Sequence, residues 1–280
     1  MTDGFRSPLT PEANAGAVAI VTGGGTGIGA ATARELARTG ARVAICGRRP
    51  EPLETVRAEI SAAGGDVLAH ACDIREPDQV AGFLDAVAAW GGMDGSGGSV
   101  DILVNNAGGQ FAAAAEDISL KGFRAVHRLN VDATWDVTRS VAERWMIPNR
   151  RGVVFFMGFS PRRGIPMMVH SSAARAALEN LASGLSNEWS KFGIRTICVA
   201  CGLIQTDGLL QYGGQAAVDA FTAAVPAKRP GLPEEVAATI AFLSSAGGGY
   251  ISGTTVVVDG GSDAWGVGEA PPEAAPRPRE

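Results

Sequence analysis

The sequence predicts a single α/β domain, a doubly wound parallel sheet with helices on both faces. Seven short segments rich in Val and Ile alternate with longer segments of helical periodicity, which is the order of elements that such folds require. The short segments are apolar on both faces, as expected for strands that helices cover on each side. With 280 residues, 46% of them hydrophobic, the chain can bury one substantial core.

The predicted elements follow one another in strict alternation up to the last strand. Each short segment is bounded by turn-forming residues, and each longer one repeats apolar positions every three to four residues. The predicted strands are residues 17–22, 42–46, 67–72, 101–105, 152–157, 194–200 and 254–258. The predicted helices are residues 27–39, 52–62, 77–90, 120–146, 172–191 and 233–243.

Four segments fall outside this alternation. Residues 1–16 are expected to form a surface extension before a domain at 17–262, and the glycine-rich insertion 91–99 predicts a mobile loop. Residues 202–230 combine short helical patterns with a glycine break, which fits a substrate lid. Residues 263–280 are rich in proline and carry alternating charges without a packable pattern, so we expect a disordered tail.

Charge and cysteine content exclude several classes of function. A net charge of −5 gives no reason to expect nucleic-acid or anionic-membrane binding. No apolar run approaches the roughly 20 residues needed to cross a bilayer, and the first residues lack a basic-then-apolar leader pattern. These features favour a cytoplasmic protein. Cys198 and Cys201 have a C-x-x-C spacing, but they fall in an apolar strand without a second ligand pair, so we expect no metal site.

A glycine-rich turn follows the first predicted strand directly. Gly23, Gly27 and Gly29 would let the backbone turn tightly, approach a pyrophosphate and pack the next helix closely, with the N–H groups of the helix start facing the phosphate. The strand before the turn and the helix after it supply the context that this spacing requires. A Rossmann-type dinucleotide site is therefore predicted. Its expected contacts in this turn are Thr22, Gly23, Gly25, Thr26, Gly27, Ile28 and Gly29.

The ends of the second and third strands bear on the choice of cofactor. Arg48 and Arg49 follow the second strand, where an acid would bind the ribose 2′-hydroxyl of NAD. Guanidinium groups suit a 2′-phosphate, which favours NADPH (NADP), although both arginines could simply be solvated charges at the start of a helix. Asp73 and Ile74 end the third strand, and Asp73 is placed either to contact the adenine or to lie exposed.

Taken together, these motifs resemble the short-chain dehydrogenase/reductase family over roughly residues 16–262. The family's T-G-x-x-x-G-x-G turn matches residues 22–29, its N-N-A-G strand end matches 105–108, and its helix asparagine matches Asn130. The resemblance implies assembly into a homotetramer or homodimer through the two long helices, with Trp135, Trp145 and Trp189 as possible contributors. It also implies further cofactor contacts from Asn106, Ala107, Gly108, Arg175, Gly202, Ile204 and Thr206.

The chain departs from the family at its catalytic Tyr-x-x-x-Lys. Residues 175–181 resemble the family helix that contains the lysine, which places Arg175 on the lysine and Ser171 on the tyrosine. Arg175 can bond ribose hydroxyls, but it stays charged and does not release protons. Ser171 can donate a hydrogen bond but is a poor source of a full proton. Because ketone reduction needs a proton on oxygen as hydride arrives, an ordinary ketoreductase is disfavoured.

Several strings resemble the 2,4-dienoyl-CoA reductase branch of this family, at residues 22–27, 72–78, 105–111 and 188–193; 1-cyclohexenylcarbonyl-CoA reductase is a similar enzyme. Hydride addition to an alkene conjugated to a thioester produces an enolate, which needs hydrogen-bond donors more than an acidic phenol. The resemblance therefore implies NADPH-dependent reduction of an enoyl-CoA, such as 1-cyclohexenylcarbonyl-CoA or a 2,4-dienoyl-CoA. The acyl carrier could be coenzyme A or an acyl-carrier protein.

For this reaction we expect Asn130, Ser160 and Ser171 around the thioester oxygen and Arg175 at the ribose. His170 could protonate carbon or could point elsewhere, and His127 is expected to pack or face solvent.

The loop after the fifth strand offers less certain contacts. Arg162 and Arg163 could meet coenzyme A phosphates or be solvated, and Met167 and Met168 could line an acyl pocket or fill the core. Two alternative functions stay open: a carbonyl reductase with a substitute donor such as His170 or Ser160, and a catalytically silent NADP-binding protein.

Overall fold

A seven-stranded parallel sheet forms the centre of the molecule. The computed structural model describes residues 5–92, 98–162, 164–206, 208–209 and 214–265. The strand order is β3-β2-β1-β4-β5-β6-β7, and every neighbouring pair is parallel. The strands are β1 (Val18–Thr22), β2 (Arg42–Gly47), β3 (Val67–Ala71), β4 (Ile102–Asn105), β5 (Gly152–Phe159), β6 (Ile194–Cys201) and β7 (Thr254–Val258).

Helices cover both faces of this sheet because its inner strands are apolar on each side. Two core clusters lie between the helices and the sheet, one on each face. The described helices are α1 (Gly27–Arg38), α2 (Pro50–Ala62), α3 (Pro77–Gly91), α4 (Leu120–His127), α5 (Ala133–Val141), α6 (Ile147–Asn149), α7 (Val169–Trp189), α8 (Gly214–Ala224), α9 (Pro233–Ser244) and α10 (Ser262–Trp265). The predicted fold class is confirmed.

The segment expected as one helix over residues 120–146 is interrupted twice. π-helical turns at Arg128–Asp132 and Ala142–Met146 separate α4, α5 and α6. The first π turn contains the buried Asn130, whose side chain donates to Val126 O in the preceding turn. Such turns occur often at functional sites, and periodicity alone does not reveal them.

Each segment outside the predicted alternation contains residues that the structure places. Asn14, in the extension at residues 1–16, is buried and donates to Thr39 Oγ1 and Ala241 O. In the insertion at residues 91–99, Ser99 is buried, while 93–97 lie outside the described residues. Of the expected tail, residues 263–265 belong to α10, and 266–280 lie outside the described residues. Within the lid at residues 202–230, α8 is a helix.

Two of the three tryptophans considered for an interface belong to the core of the subunit. Trp145 and Trp189 are buried in the cluster beneath α5 and α7, whereas Trp135 is 38% exposed. No helix within the described ranges is long and apolar enough to cross a membrane.

Candidate active site

A cleft of about 230 Å³ opens at the carboxyl edge of the sheet. It lies where the strand order reverses between β1 and β4, the position at which open α/β sheets bind ligands. The ends of β1, β2, β3 and β4 all reach it. Its lining residues are Gly23, Gly25, Thr26, Gly47, Arg48, Arg49, Pro52, Leu53, Cys72, Asp73, Ile74, Asn106, Ala107, Gly108 and Leu129.

The glycine turn at this cleft fits a dinucleotide pyrophosphate. Gly23 and Gly27 have φ of +65° and +52°, a region that side chains disfavour. A Cβ on Gly29 would lie 2.2 Å from Gly23 O, so only glycine lets α1 approach the turn this closely. Thr26 caps α1 with extended backbone and without a side-chain hydrogen bond, which leaves the first N–H groups of the helix directed at the cleft.

Thr22 and Asn106 connect the two loops that form the cleft floor. The Thr22 hydroxyl accepts hydrogen bonds from the backbone N–H groups of Asn106 and Ala107, at 3.1 and 3.0 Å. The Asn106 amide donates to Thr22 O and Gly23 O. These two side chains therefore fix the loop geometry, and their predicted contacts to the cofactor stay a prediction.

Two positively charged side chains lie at the far end of the cleft, where β2 ends. Arg48 and Arg49 are exposed and line it. Asp73, beside them, is engaged by Arg75, which donates from Nε to Asp73 Oδ1 at 2.9 Å. This guanidinium lowers the pKa of Asp73 to about 2. Asp73 thus faces the cleft as a carboxylate bonded to Arg75, with a smaller electrostatic contribution from Arg48. The two arginines at the end of β2 are suited to bind an anionic group.

Asn130 lies at the site but does not offer its amide protons to a ligand. Its Nδ2 donates to Gly109 O and Val126 O, both at 2.8 Å, and its Oδ1 accepts from Gly109 N at 3.3 Å. Both amide protons are consequently used within the protein. The direct donor role expected for Asn130 is not supported by this geometry, and its contacts instead hold the Gly109 backbone against the π turn.

Ser160 likewise directs its hydroxyl away from the expected position. It is buried at the end of β5 and donates to Asp259 Oδ2 beyond the end of β7. The same carboxylate accepts from the backbone N–H groups of Gly261 and Asp263. Ser160 thus ties the loop after β5 to the loop after β7, and its single proton is not free for a thioester oxygen.

Ser171 is fully buried near the start of α7 and contacts a residue that the sequence did not single out. Its Oγ donates to Gln110 Oε1 at 2.9 Å. Gln110 is half-buried in the loop after β4, and its Nε2 has no hydrogen-bond partner among the described residues. A side-chain amide with a fixed oxygen and free N–H donors suits a developing oxyanion. The only sequence signal for Gln110 is its place in the string 105–111.

Arg175 reaches the floor of the site one turn further along α7. Its Nη1 donates to Met157 O of β5 at 2.6 Å. A Cβ on Gly108 would lie 2.4 Å from Arg175 Nη2, so the absence of a side chain at Gly108 makes room for the guanidinium. A permanent cation therefore lies beneath the cleft between Gly108 and β5.

His170 is fully buried beside Ser171, and its ring packs against Phe111 with 4.3 Å between ring centroids. Neither of its ring nitrogens has a hydrogen-bond partner in the described chain. Burial, and then the charge of His127, lower the pKa of His170, and the nearby backbone of Phe111 opposes this in part. His170 is thus a neutral imidazole near pH 7 and adjoins the Gln110–Ser171 pair.

Three further residues, Gly202, Ile204 and Thr206, were predicted to contact the cofactor. Thr206 lies beside the glycine turn, because a Cβ on Gly27 would be 3.2 Å from its methyl carbon, and Gly202 packs against Asp259. Ile204 forms a β-bridge with Gly231.

The loop after β5 shows little free charge. Arg162 is paired with Asp263 at 3.0 Å and Glu179 at 3.6 Å, so it is less suited to coenzyme A phosphates than we expected. Arg163 lies outside the described residues. In the same loop, Met167 is exposed rather than core filler, and Met168 is half-buried.

The C-x-x-C pair lies on β6 as two buried free thiols. Burial raises the pKa of Cys198 and of Cys201 to about 12. Thiols of this kind stay protonated at neutral pH, which makes them poor nucleophiles and poor metal ligands. Within the described part of the chain, no group of three or more His, Cys, Asp and Glu side chains is arranged to hold a metal ion.

The sequence contains two tyrosines, at positions 212 and 250. Tyr250 is fully exposed in the segment that leads into β7, at the amino end of that strand and therefore across the sheet from the cleft. Tyr212 lies outside the described residues. Within the described ranges, no phenol reaches the site.

The fold, the glycine turn and the cleft define a short-chain dehydrogenase/reductase, an oxidoreductase with a nicotinamide-nucleotide-binding Rossmann fold. A family model described as Enoyl-(Acyl carrier protein) reductase matches residues 23–263, and the chain belongs to this family. The resemblance that the sequence motifs predicted is thereby confirmed.

Curated relatives include several enzymes named as 2,4-dienoyl-CoA reductases. A probable 2,4-dienoyl-CoA reductase of Bacillus subtilis is 34% identical over 247 residues, which cover 86% of this chain and 94% of the relative. A peroxisomal 2,4-dienoyl-CoA reductase of Danio rerio is 31% identical over 256 residues, which cover 90% and 83%. A gluconate 5-dehydrogenase of Gluconobacter oxydans is 33% identical over 248 residues, which cover 88% and 94%.

Solved structures show the same fold. A citronellol catabolism dehydrogenase of Pseudomonas aeruginosa is 38% identical with a TM-score of 0.80, over 92% of this chain and all of that one. A putative NAD(P)-dependent gluconate 5-dehydrogenase of Beutenbergia cavernae, with NADP bound at low occupancy, is 31% identical with a TM-score of 0.82, over 91% and 99%.

Proposed function

We propose that this protein reduces the carbon–carbon double bond of an enoyl thioester, with coenzyme A as the acyl carrier and NADPH as the hydride donor. The observation that carries the proposal is Ser171, which replaces the family's tyrosine. It is fully buried and donates to Gln110. A site built around a side-chain amide stabilises an oxyanion but supplies no acidic proton to oxygen, which matches the demands of alkene reduction better than those of ketone reduction.

The chemistry divides between the cofactor and the chain. When bound, the nicotinamide would supply a hydride to the carbon of the alkene far from the thioester, and the alkene electron pair would move onto the thioester oxygen as an enolate. Gln110 Nε2 donates hydrogen bonds to that oxygen, and Ser171 holds the amide in place through Oε1. A proton from the protein then reaches the carbon next to the carbonyl, and the enolate electrons form the new C–H bond.

The named relatives support this substrate class. Enzymes from Bacillus subtilis and Danio rerio named as 2,4-dienoyl-CoA reductases align with most of the chain. We therefore place 2,4-dienoyl-CoA and 2-enoyl-CoA thioesters, including 1-cyclohexenylcarbonyl-CoA, first among the candidate substrates. NADPH is favoured over NADH because Arg48 and Arg49 line the cleft without an acidic residue on the end of β2, and a relative of similar fold binds NADP.

The decisive assay compares an alkene and a ketone on the same carrier. Purified protein is mixed with NADPH and either crotonyl-CoA or acetoacetyl-CoA, and oxidation is followed at the nicotinamide absorbance band. A 2,4-dienoyl-CoA and 1-cyclohexenylcarbonyl-CoA extend the alkene series, and mass spectrometry of the product detects the two added hydrogens. We expect turnover of one or more alkene thioesters and none of acetoacetyl-CoA.

The competing functions give different results in the same assay. Turnover of ketones alone would identify a carbonyl reductase with a substitute proton donor, an outcome in keeping with the similarity to gluconate 5-dehydrogenase. NADPH binding without turnover of any thioester or ketone would identify a catalytically silent cofactor-binding protein. Either result would overturn the proposed reaction.

Substitution of Gln110 tests the oxyanion donor directly. Gln110→Glu keeps an acceptor for Ser171 but replaces the amide donor with a carboxylate, so kcat should fall by roughly 10²- to 10³-fold. Ser171→Ala loosens the amide but leaves the donor, and we expect a smaller loss of about tenfold. The Kd for NADPH should stay within about twofold in both variants, as measured by fluorescence titration. Wild-type kcat in Gln110→Glu would remove Gln110 from the mechanism.

The same proposal includes assembly into a homotetramer or homodimer through α4–α6 and α7. Trp135, which is 38% exposed on α5, lies on this surface. Light scattering of the purified protein measures the mass; a monomer at micromolar concentration would contradict this part of the proposal.

A further inference from the structure

His127 and His170 lie on two helices that pack against each other, α4 and α7, and the pKa of His170 is lowered in part by His127. His170 is fully buried, and neither of its ring nitrogens has a partner in the described chain; His127 Nε2 is buried and equally unpartnered. Buried polar atoms are nearly always hydrogen-bonded, so three such nitrogens in one place call for an explanation. Two phenylalanines flank the pair: Phe111 contacts His170, and Phe123 stacks on His127 at 4.5 Å.

This pair connects the reacting groups to the surface. His170 adjoins Ser171 in α7 and packs against Phe111, which follows Gln110 in the chain, so it contacts the segment that carries the proposed oxyanion donor. His127 is one helical turn before Asn130 and is only partly buried. The pair therefore extends from the segments that hold Gln110 and Ser171 to α4, where His127 is half-buried.

The nearest cation of the site does not perform this task. Arg175 stays protonated at all accessible pH values and is bonded to Met157 O, so it does not release a proton to a substrate. Ser171 and Ser160 donate their single protons to Gln110 and Asp259. The carbon atom still requires a proton for each turnover, and it must come from solvent by some route.

We propose that His127 and His170 form a proton relay, in which His127 takes a proton from solvent and passes it, directly or through one water molecule, to His170 at the substrate. This inference rests on the proposed function. In each turnover, His170 loses a proton from one ring nitrogen to the substrate carbon and gains one on the other nitrogen from His127. Water then reprotonates His127 on its other nitrogen, so one hydride and one proton are added and both imidazoles end neutral but in the opposite tautomer. Proton exchange with solvent or a flip of each ring restores the starting tautomers before the next turnover.

The electrostatics of the pair agree with transfer through neutral rings. Burial and His127 lower the pKa of His170, which disfavours a standing imidazolium. The cations on the two packed helices, Lys121 and Arg124 on α4 and Arg175 on α7, are not among the causes of that shift. A neutral imidazole donates from one nitrogen and accepts at the other, so it can pass a proton without first storing a charge.

The test replaces the outer member of the pair, which touches neither substrate nor cofactor. His127→Phe keeps an aromatic ring against Phe123 and removes both nitrogens. His127→Ala opens a space that free imidazole can enter. The matched control is His70→Phe, because His70 also has a buried, unpartnered Nδ1 and packs against a phenylalanine, Phe83, but lies on β3 away from the site.

A positioned proton-transfer side chain typically contributes about 10²- to 10⁴-fold to the rate. In His127→Phe we expect kcat with the best enoyl-CoA to fall by that factor, while KM for the thioester and Kd for NADPH change less than about twofold. The solvent deuterium isotope effect on kcat should rise, because proton delivery becomes slow. The isotope effect of 4-deuterated NADPH should fall correspondingly. Imidazole added to His127→Ala should restore kcat in proportion to its concentration, and His70→Phe should match wild type in all of these values.

The outcomes separate the relay from the proposed function. If wild type turns over an enoyl-CoA but His127→Phe keeps its kcat and isotope effects, the relay is overturned and the proposed function stands. A fall in kcat with a lowered melting temperature, unchanged solvent isotope effect and no rescue by imidazole would show a packing role and would also overturn the relay. If wild type reduces no enoyl thioester, both proposals are overturned.

Discussion

Replacing both Arg48 and Arg49 with alanine should remove most of the expected preference for NADPH over NADH. Both guanidinium groups line the cleft at the end of β2, and neither has a hydrogen-bond partner among the described residues. A 2′-phosphate would supply the acceptors that they lack, while the 2′-hydroxyl of NADH offers no charge to neutralise. The two cofactors should therefore respond very differently to the same change.

The exposure of these arginines limits the magnitude. A hydrogen bond to a charged group contributes about 1.5–3 kcal/mol, and solvent screening reduces it towards the low end at an exposed site. Two such contacts at roughly 1–1.5 kcal/mol each correspond to about a 30- to 150-fold rise in Kd for NADPH. The Kd for NADH should change by less than about threefold, since no contact to its ribose depends on these side chains.

Fluorescence titration of each variant with both cofactors measures the effect without requiring a substrate. The matched control is Arg34→Ala with Arg57→Ala, which also removes two positive charges but from surface pairs with Glu59 and Glu54. That control should leave both dissociation constants within about twofold. Equal rises in Kd for NADPH and NADH, or a similar rise in the control, would refute the reading of Arg48 and Arg49 as phosphate ligands.

Two further predictions concern the walls of the cleft. Gly29→Ala should raise Kd for both cofactors by tenfold or more, because its Cβ would lie 2.2 Å from Gly23 O. The control is Gly82→Ala, which lies in open space within α3 and should be neutral or stabilising. A Kd in Gly29→Ala equal to that of wild type, measured by titration, would show that the turn tolerates a shift. Asp73 has a folded-state pKa of about 2, below the value of about 3.9 in an unfolded chain, so its ion pair with Arg75 stabilises the fold above about pH 4 and loses that contribution as the pH falls towards 2. Urea unfolding across this range should show wild type more stable than Asp73→Asn at neutral pH and equal to it near pH 2, and a difference that is independent of pH would contradict the assignment.

The nucleotide-binding half of the site could be predicted from the sequence because that half is built from local patterns. The turn at residues 22–29 follows one strand and starts one helix, and its glycines are required by contacts within a few residues of each other, as for Gly23 and Gly29. The strands and most of the helices were likewise predictable, since alternation and periodicity depend on neighbours along the chain, whereas the two π turns within residues 120–146 were not. The departure at Ser171 and Arg175 could also be read from spacing alone.

The catalytic half depended on contacts between distant segments. Ser171 meets Gln110 across 61 residues, and Ser160 meets Asp259 across 99. Sequence spacing indicated which groups would be near the cleft, but it did not indicate that Asn130 and Ser160 would use their protons within the protein. Nor did it show His127 beside His170, because that pairing follows from how α4 packs on α7.

By itself, then, the sequence determined the sheet, its order of elements and the phosphate-binding turn, since hydrophobic pattern and glycine placement act over a few residues. Only the tertiary structure decided which polar side chains remain free to act on a ligand. A hydrogen bond consumes a donor irrespective of how far apart its partners lie in the chain, so Gln110 has free N–H donors and Asn130 does not.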